Sequence, residues 1–454
     1  MKLWKYIKNN MQMNLGQKVC EESSEMTYEE LLIFAESFSR RLEGIKCCAV
    51  LCHSEMAAGM AILSCFAAGV TAVPLSKRYG KAHCNKILAA ISPNAIITDS
   101  GGSLQVISVS NSSYRESGVH PALIMCTSGT TGTPKGAMLT EENIISNVSA
   151  ITEYFDINSK DYILIPRPLY HCAVLTGEFL TALVKGTKIR FYSERFNPVF
   201  TLKLIRENKI TAFCGTPTQL SMMARIKKEK DSLKHICISG ECMDKKTGMY
   251  IQNAFISSKI YHIYGLTEAC PRVSHLPPQL FGRFPDSVGI PLNGVSVKIL
   301  LNDQTEAKKG ETGVLWVKGG NVMAGYYNDL EKTKRVLKDG WLCTGDLAVI
   351  NDDGLLKILG RNDDMIIKSG MNIYPQEIES AVKADPRVRE VCVCGKEDKK
   401  LGIQIVMNIS GDFESSLEVK KMCIKILPPY QVPSKINLVD EIPKNGSGKI
   451  IRRF

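Results

Sequence analysis

A chain of 454 residues is too long for one ordinary hydrophobic core, so two or more domains are expected. An apolar share of 44% and a charged share of 23% fit a soluble globular protein and exclude a largely disordered one. The formal charge of +11 is dispersed: the basic clusters at 227–230 and 396–400 contain acids, lie in apparent loops and lack interleaved aromatics, so nucleic-acid binding is not expected.

Lys2, Lys5 and Lys8 have no apolar segment behind them, so no secretory leader is expected. Residues 29–42 carry apolar side chains at helical spacing (Leu31, Leu32, Ala35, Phe38, Leu42) behind Thr27, a plausible cap. Residues 48–52 form a short apolar strand. The low-charge stretch 57–75 is a marginal membrane span; its Ala, Gly and Pro74 favour a core helix running into a strand at 70–75. Further strands are expected at 95–98 and 122–126. A second block, 162–261, repeats the pattern with strands at 163–165, 188–192, 212–214 and 235–238. Alternation of this kind predicts doubly wound α/β subdomains. After Gly289 shorter segments at 295–301 and 313–318, separated by turn residues, predict a small β-barrel-like subdomain. From about residue 362 a tail of helices (375–382, 417–426) and strands (391–394, 404–407) is long enough for a small α+β domain.

The sixteen cysteines sit mostly inside apolar runs or motifs, a pattern of reduced thiols and a cytoplasmic location rather than of paired disulfides. Cys392 and Cys394 fall on one face of a strand, with too few companions for a metal site.

Residues 127–136 read Thr-Ser-Gly-Thr-Thr-Gly-Thr-Pro-Lys-Gly, five hydroxyls, three glycines and a lysine following an apolar strand. Glycine lets backbone N–H groups approach an anion, the hydroxyls add donors, and Lys135 adds a charge suited to the pyrophosphate end of ATP. The run lacks the closing Gly-Lys-Ser/Thr of the common nucleoside-triphosphatase loop, so a different ATP chemistry is implied.

Five further blocks accompany this run in order: Pro168-Leu-Tyr-His171, Tyr264-Gly-Leu-Thr-Glu268, Trp341-Leu-Cys-Thr-Gly-Asp346, Gly360-Arg-Asn-Asp-Asp364 leading into Gly370-Met-Asn-Ile-Tyr-Pro375, and Pro443-Lys-Asn-Gly-Ser-Gly-Lys449. Together they resemble the adenylate-forming superfamily of acyl- and aryl-CoA synthetases, adenylation domains and luciferases. The resemblance implies an AMP-binding N-terminal domain over 1–362 and a mobile C-terminal lid over 363–454, pivoting at Asp363. It implies an enzyme that uses ATP and Mg2+ to convert a carboxylic acid into acyl-AMP.

By the same resemblance Thr127, Ser128, Gly129, Thr130, Thr131, Gly132 and Lys135 cradle the phosphates. Gly240, Glu241, Tyr264, Gly265 and Ile358 line the nucleotide, and Asp346 with Arg361 receives the ribose. Thr267 meets the α-phosphate, Glu268 is the magnesium ligand, and Lys449 bridges carboxylate and α-phosphate. These residue types suit the step, because phosphoryl chemistry at the α-phosphorus needs cations and placed donors more than an acid–base pair. His171, Cys214, Gly215 and Ala269 are implied for the acyl pocket or its gate, with a packed histidine equally open for His171. The glycine that often follows that histidine is absent, and only one glycine stands at Ser239-Gly240-Glu241. Ser369 and Gly370 are implied for the channel that admits the acceptor thiol. That acceptor is CoA or, alternatively, the phosphopantetheine of a separate carrier protein, since the chain stops at Phe454 with no carrier module. The formal positive charge suits either partner or the nucleotide.

Overall fold

Thr27 starts the helix that its sequence predicts: its hydroxyl accepts from Glu30 N at 3.2 Å while the Glu30 carboxylate accepts from Thr27 N at 2.7 Å. This reciprocal cap opens Tyr28–Ser39, and the chain then tightens into a 3-10 turn, Arg40–Leu42. The computed structural model describes residues 1–77, 80–116, 118–127, 134–192, 194, 196–368, 371–398, 402–444, 450 and 452. The stretch expected as a core helix is Glu55–Ala68, apolar on nearly every side and ended by Gly69 in the left-handed region at φ +69°, where a side chain on Cα is disfavoured. Thr71–Pro74 follows as the expected strand.

Among the described residues two large mixed sheets form the body. The first, of seven strands, runs in the order Gly325–Tyr326, Lys135–Leu139, Leu123–Thr127, Thr71–Pro74, Cys47–Val50, Ala95–Ser100, Ser103–Ser108. Its inner strands are parallel, as helical crossovers require. The second, of nine strands, has Lys259–Gly265, His235–Ile238, Ala212–Gly215, Tyr162–Ile165 and Lys188–Phe191 parallel at its centre. One continuous core fills the space between the sheets, with Tyr28, Phe155 and Phe179 among its fully buried members.

Two N-terminal elements escape the sequence reading. Lys2–Gln12 is a helix burying Leu3, Trp4, Ile7 and Met11, and Lys18–Glu21 with Ser24–Thr27 is a hairpin added to the nine-stranded sheet. The hairpin's strands are too short and too polar for an alternation signal. The β subdomain is an antiparallel five-stranded sheet built on Val295–Leu300, Gly313–Gly319, Trp341–Ile350 and Leu356–Arg361, with Leu337–Lys338 at its side.

The tail has its own core, formed by Ile373, Ile378, Val391, Val393, Ile405, Met407, Val419 and Cys423. Helix Pro375–Val382 and helix Ser416–Ile426 pack with the hairpin of Val388–Asp398 and Gly402–Gly411, to which Lys435–Leu438 adds in parallel. One expectation is corrected here. Residues 396–398 are strand rather than loop, with Lys396 opposite Gln404; exposed polar residues at the end of a long hairpin keep the ladder while erasing the apolar signal that would mark it. Residues 399–401 lie outside the described ones. The whole is mixed α/β with a separate small C-terminal domain. Among the described residues no helix is long and apolar enough to cross a membrane.

Candidate active site

Asp346 is the hub of the site. It stands directly opposite Arg361 on paired strands of the five-stranded sheet, and Arg361 Nη1 donates to Asp346 Oδ1 at 3.1 Å and to Thr344 O at 3.0 Å. Thr344 Oγ1 in turn accepts from Asp346 N at 3.0 Å, fixing the carboxylate's backbone. From the nine-stranded sheet Tyr264 Oη donates to Asp346 Oδ2 at 2.5 Å. Burial, then the adjacent Asp346 charge, pushes the Tyr264 phenol well above its usual range, so it stays a donor. Burial alone would disfavour the Arg361 cation, but Asp346 more than offsets that and holds it charged. The result is a mostly buried carboxylate held by hydrogen bonds on both oxygens, the group type suited to accepting two vicinal hydroxyls. Ile358 lies on the same strand as Arg361, three positions before it.

A second chain of contacts leads from Lys135, which follows the glycine-rich run of the sequence. Thr127 ends one strand and pairs with Lys135, which opens the next. Lys135 Nζ sits over the Tyr326 ring, 5.7 Å from its centroid, and Tyr326 Oη donates to Glu268 Oε1 at 2.8 Å. Ser128, Gly129, Thr130, Thr131 and Gly132 lie outside the described residues, as do Ser369, Gly370 and Lys449. Thr267 and Glu268 occupy a single 3-10 turn, Thr267–Ala269, directly after the strand Lys259–Gly265. Gly265 is required at that strand end: a Cβ there would lie 2.1 Å from Pro271 O, in the backbone of the returning strand.

Gly240 adopts φ +94° after the strand His235–Ile238. The neighbouring Glu241 is directed at the start of helix Pro217–Ile226, where Oε2 accepts from Thr218 Oγ1 at 2.7 Å and Thr218 N at 3.2 Å. Cys214 and Gly215 are buried at the end of strand Ala212–Gly215, and Cys214 is opposite Cys237 on the next strand. Ala269 is fully buried. His171 is half-buried and precedes a short helical turn; its ring lies 4.1 Å from that of Tyr170, centroid to centroid. Glu55 reaches this segment by accepting from Leu169 N at 2.9 Å. Asp363 is exposed in the 3-10 turn Asn362–Asp364 that joins body to tail.

Sequence reading misses three members of this neighbourhood. Tyr326, 58 residues from Glu268, has no spacing that would reveal it. Thr344 lies inside a recognised block but acts through its hydroxyl on the backbone. Arg452, near the end of the chain, donates to both oxygens of buried Glu379 and to Val393 O at 3.0 Å, and approaches Asp364 Oδ2 at 3.4 Å.

The chain matches the AMP-binding enzyme family over residues 12–327 and the AMP-binding enzyme C-terminal domain over residues 377–449. It is 34% identical over 347 residues to a long-chain-fatty-acid–CoA ligase of Haemophilus influenzae, a match covering 73% of this chain and 61% of that protein. It is 32% identical over 337 residues to an indoleacetate–CoA ligase of Aromatoleum aromaticum, covering 73% of this chain and 66% of the relative. The chain thus spans less than two thirds of the length of either protein. Its fold superposes on the o-succinylbenzoate coenzyme A synthetase of Bacillus subtilis in complex with ATP and magnesium ion, with a TM-score of 0.85, 27% identity and 98% of each chain covered. The six ordered blocks, both domain matches and the shared fold agree: this chain belongs to the adenylate-forming superfamily of AMP-binding enzymes.

Proposed function

We propose that this protein is an AMP-forming acid–thiol ligase. A carboxylate oxygen of the acid attacks the α-phosphorus of ATP, the bond to pyrophosphate breaks, and acyl-AMP results. The thiol of CoA then loses its proton and attacks the acyl carbon, releasing AMP. The observation that carries this reading is the Asp346 hub, with Tyr264 and Arg361 holding one buried carboxylate where a ribose diol can be received. CoA is taken as the acceptor, ahead of a separate carrier protein, because both curated relatives bear the name CoA ligase.

A magnesium ion suits the residues present. Glu268 offers a hard oxygen ligand whose other oxygen is oriented by Tyr326, and among the described residues no group of three or more His, Cys, Asp or Glu builds a closed metal cage. A cation held by one carboxylate and by nucleotide phosphates fits that donor set and would supply charge neutralisation. Around it Lys135 and residues 127–132 bind the phosphates, Thr267 orients the α-phosphate, and Lys449 holds the developing charge between carboxylate and phosphate. Gly240, Glu241, Gly265 and Ile358 flank the nucleotide. His171, Cys214, Gly215 and Ala269 border the acid, and Ser369 and Gly370 border the thiol's approach.

The chain divides at 362/363 in this reading, with Asp363 as pivot; the tail's separate core supports it, since a unit with its own core can turn as a body. The free, mostly buried cysteines accord with a cytoplasmic enzyme. The test is acid-dependent ATP–pyrophosphate exchange across aryl, short, medium and long-chain acids, followed by detection of acyl-CoA. Exchange with at least one acid is expected, and Lys449→Ala should abolish it while ATP still binds. A folded, ATP-binding preparation that exchanges with no acid refutes the reading.

A further inference from the structure

Arg272 follows Glu268 by four positions and is 5% exposed. It pairs with Gly265 beside a register shift in the ladder, on a strand, Arg272–Leu276, whose consecutive residues Arg272, Val273 and Ser274 are all buried. There Nη1 donates to Tyr154 Oη at 2.5 Å and Nη2 to Gly177 O at 2.7 Å. Residue 177 must be small for this: a Cβ on Gly177 would stand 3.0 Å from Arg272 Nε. Both partners are neutral.

The nearby carboxylate, Glu178, is 1% exposed and is engaged by Arg167 instead. Its Oε2 has no hydrogen-bond partner, and neither does Arg167 Nε. Both guanidinium groups act on this buried carboxylate, Arg167 by hydrogen bond and Arg272 through space, and burial disfavours the Glu178 charge despite both cations. An uncompensated buried cation is costly, and proteins tolerate it where a counter-ion arrives. The cluster adjoins the expected acyl pocket: Cys214 lies within electrostatic reach of both Arg272 and Glu178, and Thr176 Oγ1, beside Gly177, donates to Cys270 O at 3.1 Å, tying this segment to the chain that follows Ala269.

We propose that Arg272, supported by Arg167 and Glu178, forms the distal end of the acyl pocket and selects acids bearing a second carboxylate remote from the one that is adenylated. The inference rests on the acid-activating reading above. The planar guanidinium matches a carboxylate with two parallel hydrogen bonds, and the unpartnered Arg167 Nε supplies a further donor. A monocarboxylic acid of equal length leaves the buried charge unmet and forfeits its place.

The experiment is pyrophosphate exchange with matched pairs, octanoate against octanedioate and 3-phenylpropanoate against its 4-carboxy derivative. The diacid of at least one pair is expected to win by about ten-thousandfold in kcat/KM, the scale on which a polar site rejects an analogue lacking the group it was built to bind. Arg272→Met should erase that advantage, and Arg272→Lys should retain part of it. A wild-type preference for the monoacid in both pairs overturns the proposal, as does an Arg272→Met enzyme that loses both members of a pair equally, the behaviour of a merely structural arginine. If that variant does not fold, the wild-type ranking together with Arg167→Gln decides. Exchange with monoacids alone refutes this inference only, whereas no exchange with any acid refutes the acid-activating reading with it.

Discussion

Tyr264 Oη donates to Asp346 Oδ2 at 2.5 Å across the junction of the nine-stranded and five-stranded sheets. With Arg361 on the other oxygen, the carboxylate is pre-oriented before any ligand arrives. Asp346→Asn keeps the shape but removes the charge, leaving Arg361 without its counter-ion. ATP affinity is expected to fall ten- to about a hundredfold, the worth of one charged hydrogen bond. Titration calorimetry with ATP checks this, and an unchanged affinity would remove Asp346 from the nucleotide site.

Tyr326 is bonded to Glu268, the proposed magnesium ligand. Tyr326→Phe deletes the 2.8 Å hydrogen bond to Glu268 while preserving the ring beneath Lys135. The magnesium concentration for half-maximal exchange is expected to rise about tenfold, as when an outer-shell partner of a ligand is lost. A drop in rate at saturating magnesium with no such shift would argue against the role.

Arg452 lies three residues after Lys449 in the sequence. Its bonds to Glu379 and Val393 fix it to the tail's own core, and Asp364 ties it to the turn beside the proposed pivot. Arg452→Ala is expected to slow adenylation by about a hundredfold, as a misplaced reacting group does. Thioester formation from chemically made acyl-AMP should change little, and Arg452→Lys should recover part of the loss. Equal losses in both half-reactions would indicate a general folding defect.

His262 is buried, with Nδ1 3.0 Å from Pro285 O, and burial lowers its pKa from 6.5 to about 4. The unfolded chain binds a proton that the folded one refuses, so this contribution to stability is intact above pH 6.5 and erodes as pH falls toward 4. The slope is up to about 1.4 kcal/mol per pH unit. Urea unfolding across that window should show it, and His262→Gln should flatten it; an equally steep curve in the variant sinks the assignment.

Much of the body was legible because its signals are local. Thr27 and Glu30 cap a helix at three-residue spacing, and the strands at 71–74 and 123–127 announce themselves as apolar runs. The polar end of Val388–Asp398 was not legible, since a solvent-facing hairpin holds its register through backbone bonds that leave no compositional trace. Lys18–Glu21 joins a sheet whose next strand is Lys188–Phe191, a pairing that no local window contains.

The sequence by itself determined the superfamily and the chemical identities in the site, because the ordered blocks and their residue types are covalent facts: a lysine after a glycine-rich loop, a carboxylate after Gly345, an arginine after Gly360. Tertiary structure alone decided which groups meet. Tyr264 reaches Asp346 only because two sheets abut, Tyr326 reaches Glu268 only because a short edge strand returns beside the strand Lys135–Leu139, and Arg272 meets Tyr154 and Gly177 only because segments distant in the chain pack together. The physical reason is one of range: capping, periodicity and turn chemistry act over a few residues, whereas hydrogen bonds and buried charge depend on distances in space that chain separation does not encode.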